Sequence, residues 1–244
     1  MREASETRRL DEHLIKLGRL ASSLSHEIRN PLATVFLLVD FLEEELHHPS
    51  ADGQAQTAQS LADLKVELNR IHELVENYLS LARLADLHRE PEDLGTIVHT
   101  CALEFQQRCA ERGITLHVEG LEDLQQVPLH RNTFYRVLVN LVQNAIDAMP
   151  QGGTLTFRGW QVGTQVHLAV QDSGSGIPED ELPQVFEPFH TTKSDGTGLG
   201  MYVVQEILAA HGGSITLRSS CGIGTTCTLT LPLLTTEVMV PHGA

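Results

Sequence analysis

Two stretches of this chain repeat apolar residues at alternating steps of four and three. Leu10, Leu14, Leu17, Ala21, Leu24 and Ile28 form the first series, and Leu61, Leu64, Leu68, Ile71, Val75, Tyr78 and Ala82 form the second. That period belongs to long helices that pack along their length. The first helix is expected from about Thr7 to Leu46, roughly 60 Å long, and bent near Pro31, which has no N–H to give and whose ring crowds the turn before it. His47 to Gly53 is a turn cluster. Two helices joined this way make a hairpin with one apolar seam each. A lone hairpin buries little, so a four-helix bundle built by two copies is the natural solution; the plainer alternative is a monomeric hairpin packed on the rest of the chain.

The pattern changes after Glu90-Pro91-Glu92-Asp93, which reads as a junction. A helix is expected over about Leu94–Arg112, a strand near Ile114–Val118, and a second helix over about Arg131–Met149. Pro150-Gln151-Gly152-Gly153 stops that helix. Strands follow at Thr154–Trp160 and Gln165–Gln171, then a loop-rich stretch and a helix over about Gly198–Ala210. His211-Gly212-Gly213 stops this last helix, and strands near Ser214–Ser219 and Thr225–Leu231 close the pattern. The expected class is α+β: a helical hairpin over residues 1–88, a region mixing helices and strands over 89–234, and a loose tail at 235–244.

Composition narrows the possible functions. The net charge is −15, carried by both halves of the chain, so a sequence-independent grip on nucleic acid phosphates is not expected. The cysteines Cys101, Cys109, Cys221 and Cys227 contain no Cys-x-x-Cys and read as reduced thiols. The first residues do not look like a signal peptide. No stretch approaches the roughly 20 apolar residues of a membrane span. The expectation is a cytoplasmic protein, either soluble or the cytoplasmic piece of a longer parent.

Within the first helix, His26 and Glu27 stand beside the Pro31 break, and Asn30 shares the face of His26. A histidine on a helix surface next to a carboxylate is a candidate nucleophile. Farther on, five short motifs occur in order: Asn140-Leu-Val-Gln-Asn144, Asp172-Ser-Gly174-Ser-Gly176, Phe186-Glu-Pro-Phe189, Gly196-Thr197-Gly198-Leu199-Gly200, and Gly222-Ile-Gly-Thr225. Asn140 and Asn144 lie one helical turn apart, and their neutral carboxamides suit Mg²⁺ beside a triphosphate. Asp172 ends a strand, where a carboxylate accepts from an adenine amino group, and Gly174 and Gly176 let the backbone approach a flat ligand. Gly196 to Gly200 opens a helix, which offers N–H groups to phosphates, and Lys193 lies in the loop before it.

The segment around His26 resembles the phospho-accepting H box of two-component sensor histidine kinases. The later motifs are similar to the N, G1, F, G2 and G3 boxes of the Bergerat-type ATP-binding fold, which Hsp90-like chaperones, MutL-like proteins and type II topoisomerases share. The H and F boxes point to the kinases. The resemblance covers about Leu10 to Leu231, and for residues 89–234 it implies an α/β sandwich with a mixed sheet and one helical layer. It implies an ATP- and Mg²⁺-dependent enzyme in which His26 takes the γ-phosphoryl group and Glu27 handles the proton. Asn140 and Asn144 serve the metal, with Asn144 the ligand. Asp172, Gly174, Gly176, Lys193, Gly196, Thr197, Gly198, Leu199, Gly200 and Thr225 hold the nucleotide. The implied partners are a second copy of the chain and a response-regulator receiver domain, whose acyl phosphate Asn30 also helps hydrolyse. The rival is a kinase-like dimeric scaffold that binds ATP without autophosphorylation. Two departures stand out: Asp147 lies where many relatives carry a basic residue, and Met201 replaces a leucine.

Overall fold

The computed structural model describes residues 2–48, 53–193 and 196–233. Most of the expected turn at 47–53, and the tail at 235–244, fall outside them. The chain divides into two compact units, Met1–Ala85 with Glu187–Leu199, and Asp86–Phe186 with Gly200–Ala244.

The first unit holds helices α1 (Arg2–His47) and α2 (Gly53–Ala82). Helix α1 continues through Pro31, which is buried. The short connection makes the two helices adjacent and antiparallel. Leu20 and Leu24 of α1 and Leu74 and Leu81 of α2 are buried. On α2, Ser60, Leu74, Asn77 and Leu81 are buried; of the expected series, Leu64, Ile71, Tyr78 and Ala82 are half-buried and Leu61, Leu68 and Val75 exposed. Leu14 on α1 is exposed as well, and the side chain of Leu10 is outside the described residues. Apolar residues on α2 occupy two neighbouring stripes, and only one of them meets α1. A seven-residue repeat alone cannot say which.

The second unit is an α/β sandwich. Its main sheet has the order β2-β4-β5-β7-β6, with β2 (Ile114–Glu119), β4 (Gly153–Val162), β5 (Gln165–Asp172), β6 (Ser214–Ser220) and β7 (Gly224–Pro232). β2 runs parallel to β4 and the other pairs are antiparallel, so the sheet is mixed. The strands alternate. Leu155, Phe157, Val166, Leu168, Leu229 and Leu231 point into the core, while Thr156, Arg158, Trp160, Gln171 and Thr228 point away from it. Against the inner face lie α3 (Leu94–Glu111), α4 (Arg131–Ala148) and α5 (Gly200–Ala210). They contribute Ile97, Phe105, Phe134, Leu138, Val203 and Ile207, all buried.

The segment expected to be a plain junction is instead strand β1 (Glu90–Glu92), antiparallel to β3 (Val127–Leu129). Pro91 faces Pro128 across this pair. Two prolines take two donors from the ladder, which is why the sequence gives no strand signal there. Asp93 then caps α3. Its Oδ1 accepts from Gly95 N–H (2.8 Å) and its Oδ2 from the Thr96 hydroxyl (2.7 Å).

Candidate functional site

His26 sits on α1 as an exposed side chain. Glu27 is half-buried and Asn30 is exposed one turn from His26. Around Pro31 the helix carries extra side-chain bonds to its own carbonyls, from Ser25 Oγ to Ala21 (2.8 Å) and from Thr34 Oγ1 to Asn30 (3.4 Å). Ser80 and Thr100 make the same bond to the carbonyl four residues back, so it belongs to Ser and Thr in a helix and not to Pro31.

In the second unit the end of β5 organises the other motifs. Asp172 is buried, and its Oδ1 accepts from the N–H groups of Gly174 (2.9 Å) and Thr225 (3.2 Å). Both bonds fall on one oxygen, which leaves Oδ2 as an acceptor. Burial pushes the carboxyl above the usual carboxylate range, and the Gly174 and Thr225 bonds pull it part of the way back. Asp172 pairs with Leu155 on one side and Thr225 on the other in the sheet register, so strand pairing fixes its height.

The loop after Asp172 passes close to its neighbours. Ser175 N–H donates to Ala148 O at the end of α4 (2.9 Å), and Gly222 N–H donates to Ser175 O (2.7 Å). Gly176 has φ +70°, and a Cβ there would collide with the Ser220 carbonyl. Only glycine fits. Ser219, which no motif pointed to, ties this loop to β7: it accepts from Ile177 N–H (2.8 Å), donates to Gly224 O (3.1 Å), and lies 2.9 Å from Thr225 Oγ1. The Cys227 thiol, pushed up to about 12 mainly by burial, stays protonated behind Asp172.

Asn140 and Asn144 lie on α4. Asn140 Nδ2 is buried without a hydrogen-bond partner. A buried donor left this way is normally met by an acceptor, and a phosphate oxygen would serve. A Cβ on Gly200, the first residue of α5, would lie 3.6 Å from Asn140 Oδ1, so the motif asparagine and the start of α5 are neighbours. Among the described residues no group of three or more His, Cys, Asp or Glu is placed to hold a metal ion. Neutral carboxamides, together with phosphate oxygens, suit a hard cation such as Mg²⁺. Asp147 at the end of α4 is turned to Arg112, 3.9 Å away.

The glycine-rich segment differs from its expected form. Helix α5 starts at Gly200, not Gly198, because Gly198 has φ +65°, outside the helical region. Gly196, Thr197, Gly198 and Leu199 therefore belong to the preceding loop, which falls with the first unit. Phe189 closes the base of that loop. Its N–H donates to Gly198 O (2.9 Å), and it is the one non-glycine residue with positive φ among the described residues. Inside the loop Lys193 N–H donates to Thr191 Oγ1 (3.1 Å), and Lys193 itself is exposed. Thr197 and Leu199 are buried, with the Leu199 N–H directed at Thr197 Oγ1 (3.5 Å).

Two family models match the chain. The model of the histidine kinase-, DNA gyrase B- and HSP90-like ATPase covers residues 130–235, and that of the His Kinase A (phospho-acceptor) domain covers residues 16–86. The sensor histidine kinase ZraS of Escherichia coli (strain K12) is 36% identical over 222 residues, 91% of this chain and 47% of that protein. The chain thus spans about half the length of the curated relatives it matches first. The catalytic domain of the histidine kinase ThkA is 30% identical with a TM-score of 0.54, over 59% of this chain and 95% of that one. ThkA in complex with the response regulator TrrA gives a TM-score of 0.73 over 94% of this chain and 66% of that one; at 24% identity this is a likeness of fold.

Proposed function

This chain belongs to the two-component sensor histidine kinase family, and on that premise we propose that it transfers the γ-phosphoryl group of ATP to His26 and then to an aspartate of a response-regulator receiver domain. The observation that carries the reading is the pairing of an exposed His26 with a second unit that holds Asp172 by two backbone N–H groups and leaves Asn140 Nδ2 waiting for an acceptor.

The adenine amino group donates to Asp172 Oδ2, with Thr225, Gly174 and Gly176 shaping the wall around the base. Lys193 and the backbone of Gly196, Thr197, Gly198, Leu199 and Gly200 hold the phosphates. Asn144, with Asn140 beside it, would hold Mg²⁺, which when bound would neutralise charge on the phosphate oxygens. His26 attacks as the neutral imidazole, whose free lone pair makes it a nucleophile. Glu27 holds or takes the proton of the other ring nitrogen, a contribution of about 10²–10⁴-fold. The remaining demand of phosphoryl transfer is positioning; since 90–92 is strand β1 and Asp93 caps α3, the hinge expected over 87–93 narrows to residues 87–89, between functional domains at 1–88 and 89–234. Asn30 orients a water that hydrolyses the regulator's acyl phosphate. The exposed stripe on the hairpin pairs with a second copy of the chain. No described helix is long and apolar enough to cross a membrane, and we place this part of the protein in the cytoplasm.

The test is incubation with γ-labelled Mg-ATP, comparing the wild type with His26→Gln. Label that is alkali-stable, acid-labile and absent from the variant supports the reading. ATP binding without label moves the chain to a non-phosphorylating scaffold. Acid-stable label that survives the substitution means a hydroxyl acceptor and a wrong mechanism.

A further inference from the structure

His211 has no exposure to solvent, and both of its ring nitrogens are engaged. Nδ1 lies 2.7 Å from the Ile207 carbonyl of the preceding helix α5, and Nε2 accepts the backbone N–H of His130 at 3.0 Å. A carbonyl only accepts and an amide N–H only donates, so these two bonds fix one species: neutral imidazole with the proton on Nδ1. His130 is the N-cap of α4. Its Nδ1 receives the Thr133 N–H (3.3 Å) and stands 2.7 Å from the Thr133 hydroxyl. The ring of Phe134 on α4 meets the His211 ring edge-on, with centroids 6.3 Å apart.

Helices α4 and α5 thus come together at two places. At one, His211 after the end of α5 grips the start of α4; at the other, Gly200 at the start of α5 lies against Asn140. Asn140 is ten residues into an 18-residue rigid rod, roughly 15 Å from the clasp. A shift at the clasp moves the asparagine face against the start of α5.

We propose that His211 is a positioning residue that keeps the Asn140 helix in its nucleotide-binding place, and that it does so only as the neutral imidazole. A proton on Nε2 removes the sole acceptor for the His130 N–H and leaves two donors facing each other in a dry site. The charged or titratable groups facing His211 are His130 of the α4 cap and Arg89 of the segment before β1. Neither is a carboxylate that would welcome an imidazolium. Burial above all, then Arg89 and His130, hold the imidazole below the ordinary histidine range, against the pull of the Ile207 carbonyl. The sign follows from a lowered folded-state value. The clasp's contribution is complete above the ordinary histidine pKa and is lost as pH falls through the lowered one.

The nucleotide half of this inference rests on the ATP-binding reading, and the experiment separates the two. Affinity for a fluorescent ATP analogue and the melting temperature would be followed from about pH 8 to about pH 5 in the wild type, His211→Gln and His211→Ala. Glutamine can accept from His130 and donate to Ile207 without titrating. The wild type is expected to lose about tenfold in affinity on acidification, the size of one broken buried hydrogen bond. His211→Gln should keep a flatter profile, and His211→Ala should bind weakly throughout. Asp172 titrates alike in all three, so the difference between profiles reports His211. Superimposable wild-type and glutamine profiles, or a folded alanine variant that binds like the wild type, overturn the proposal. If none of the three binds nucleotide, the ATP reading fails and the nucleotide half falls with it. The clasp is then judged by whether acid lowers the wild-type melting temperature more than that of His211→Gln. If neither variant folds, exchange of the His130 amide in the wild type decides: protection lost on acidification supports the clasp, and unchanged protection overturns it.

Discussion

The helical hairpin and the α/β unit treat their apolar side chains in opposite ways. Phe36 and Leu37 on α1 are 61% and 70% exposed, and Leu61, Leu68, Val75 and Leu79 on α2 are exposed with them. In the α/β unit Phe134 on a helix and Phe157 on a strand have no exposure at all. A fully buried aliphatic or aromatic side chain contributes about 1.5–3 kcal/mol. The α/β unit has collected that contribution within one chain, whereas the hairpin has half-collected it. One region is complete; the other carries a contiguous apolar stripe that a soluble monomer seldom leaves open.

The largest effect that could break this contrast is core truncation. Phe157→Ala is expected to destabilise the α/β unit by about 3–5 kcal/mol in urea unfolding. Phe36→Ala should cost the monomeric hairpin no more than about 0.5 kcal/mol, and comparable losses at both positions would erase the distinction. Next comes the site itself. Asp172→Asn should weaken ATP binding by about 1.5–3 kcal/mol, read by calorimetry, because an acceptor is replaced in a buried place. In the wild type, affinity should fall as pH drops through the raised carboxyl pKa of Asp172, earlier on acidification than for an ordinary aspartate. Asp93 sharpens the comparison from the other direction. The Thr96 hydroxyl chiefly holds its carboxyl below the usual range, so its stabilising contribution is present above the ordinary value and fades as pH falls through the lowered one. Asp93→Ala should cost about 1 kcal/mol, seen as a lower melting temperature at neutral pH and a smaller difference in acid.

Sequence patterns served the two regions unequally. Helices α3 and α4 end within a residue of expectation, because Asp93, Pro150 and the glycines around them are local signals with one structural meaning each. The strands themselves follow from alternation, whereas the mixed sheet and its helical layer were implied by the resemblance of the motifs, since alternation fixes neither strand order nor direction. The hairpin was legible as a hairpin, but not which α2 stripe faces α1, since the choice depends on a tertiary partner and not on the repeat. Strands β1 and β3 were hidden by Pro91 and Pro128. In the candidate site, the motif residues around Asp172 could be picked from spacing. Ser219, His130 and His211 could not, because each acts through a long-range bond from an unremarkable position. The His211-Gly212-Gly213 stop hid a buried imidazole behind its helix-ending role.

The most direct measurement is sedimentation equilibrium of the whole chain beside residues 89–234 alone, at micromolar concentration. The account predicts a dimer for the whole chain and a folded, cooperatively melting monomer for the fragment. A monomeric whole chain, or a fragment that dimerises or fails to fold, would contradict it.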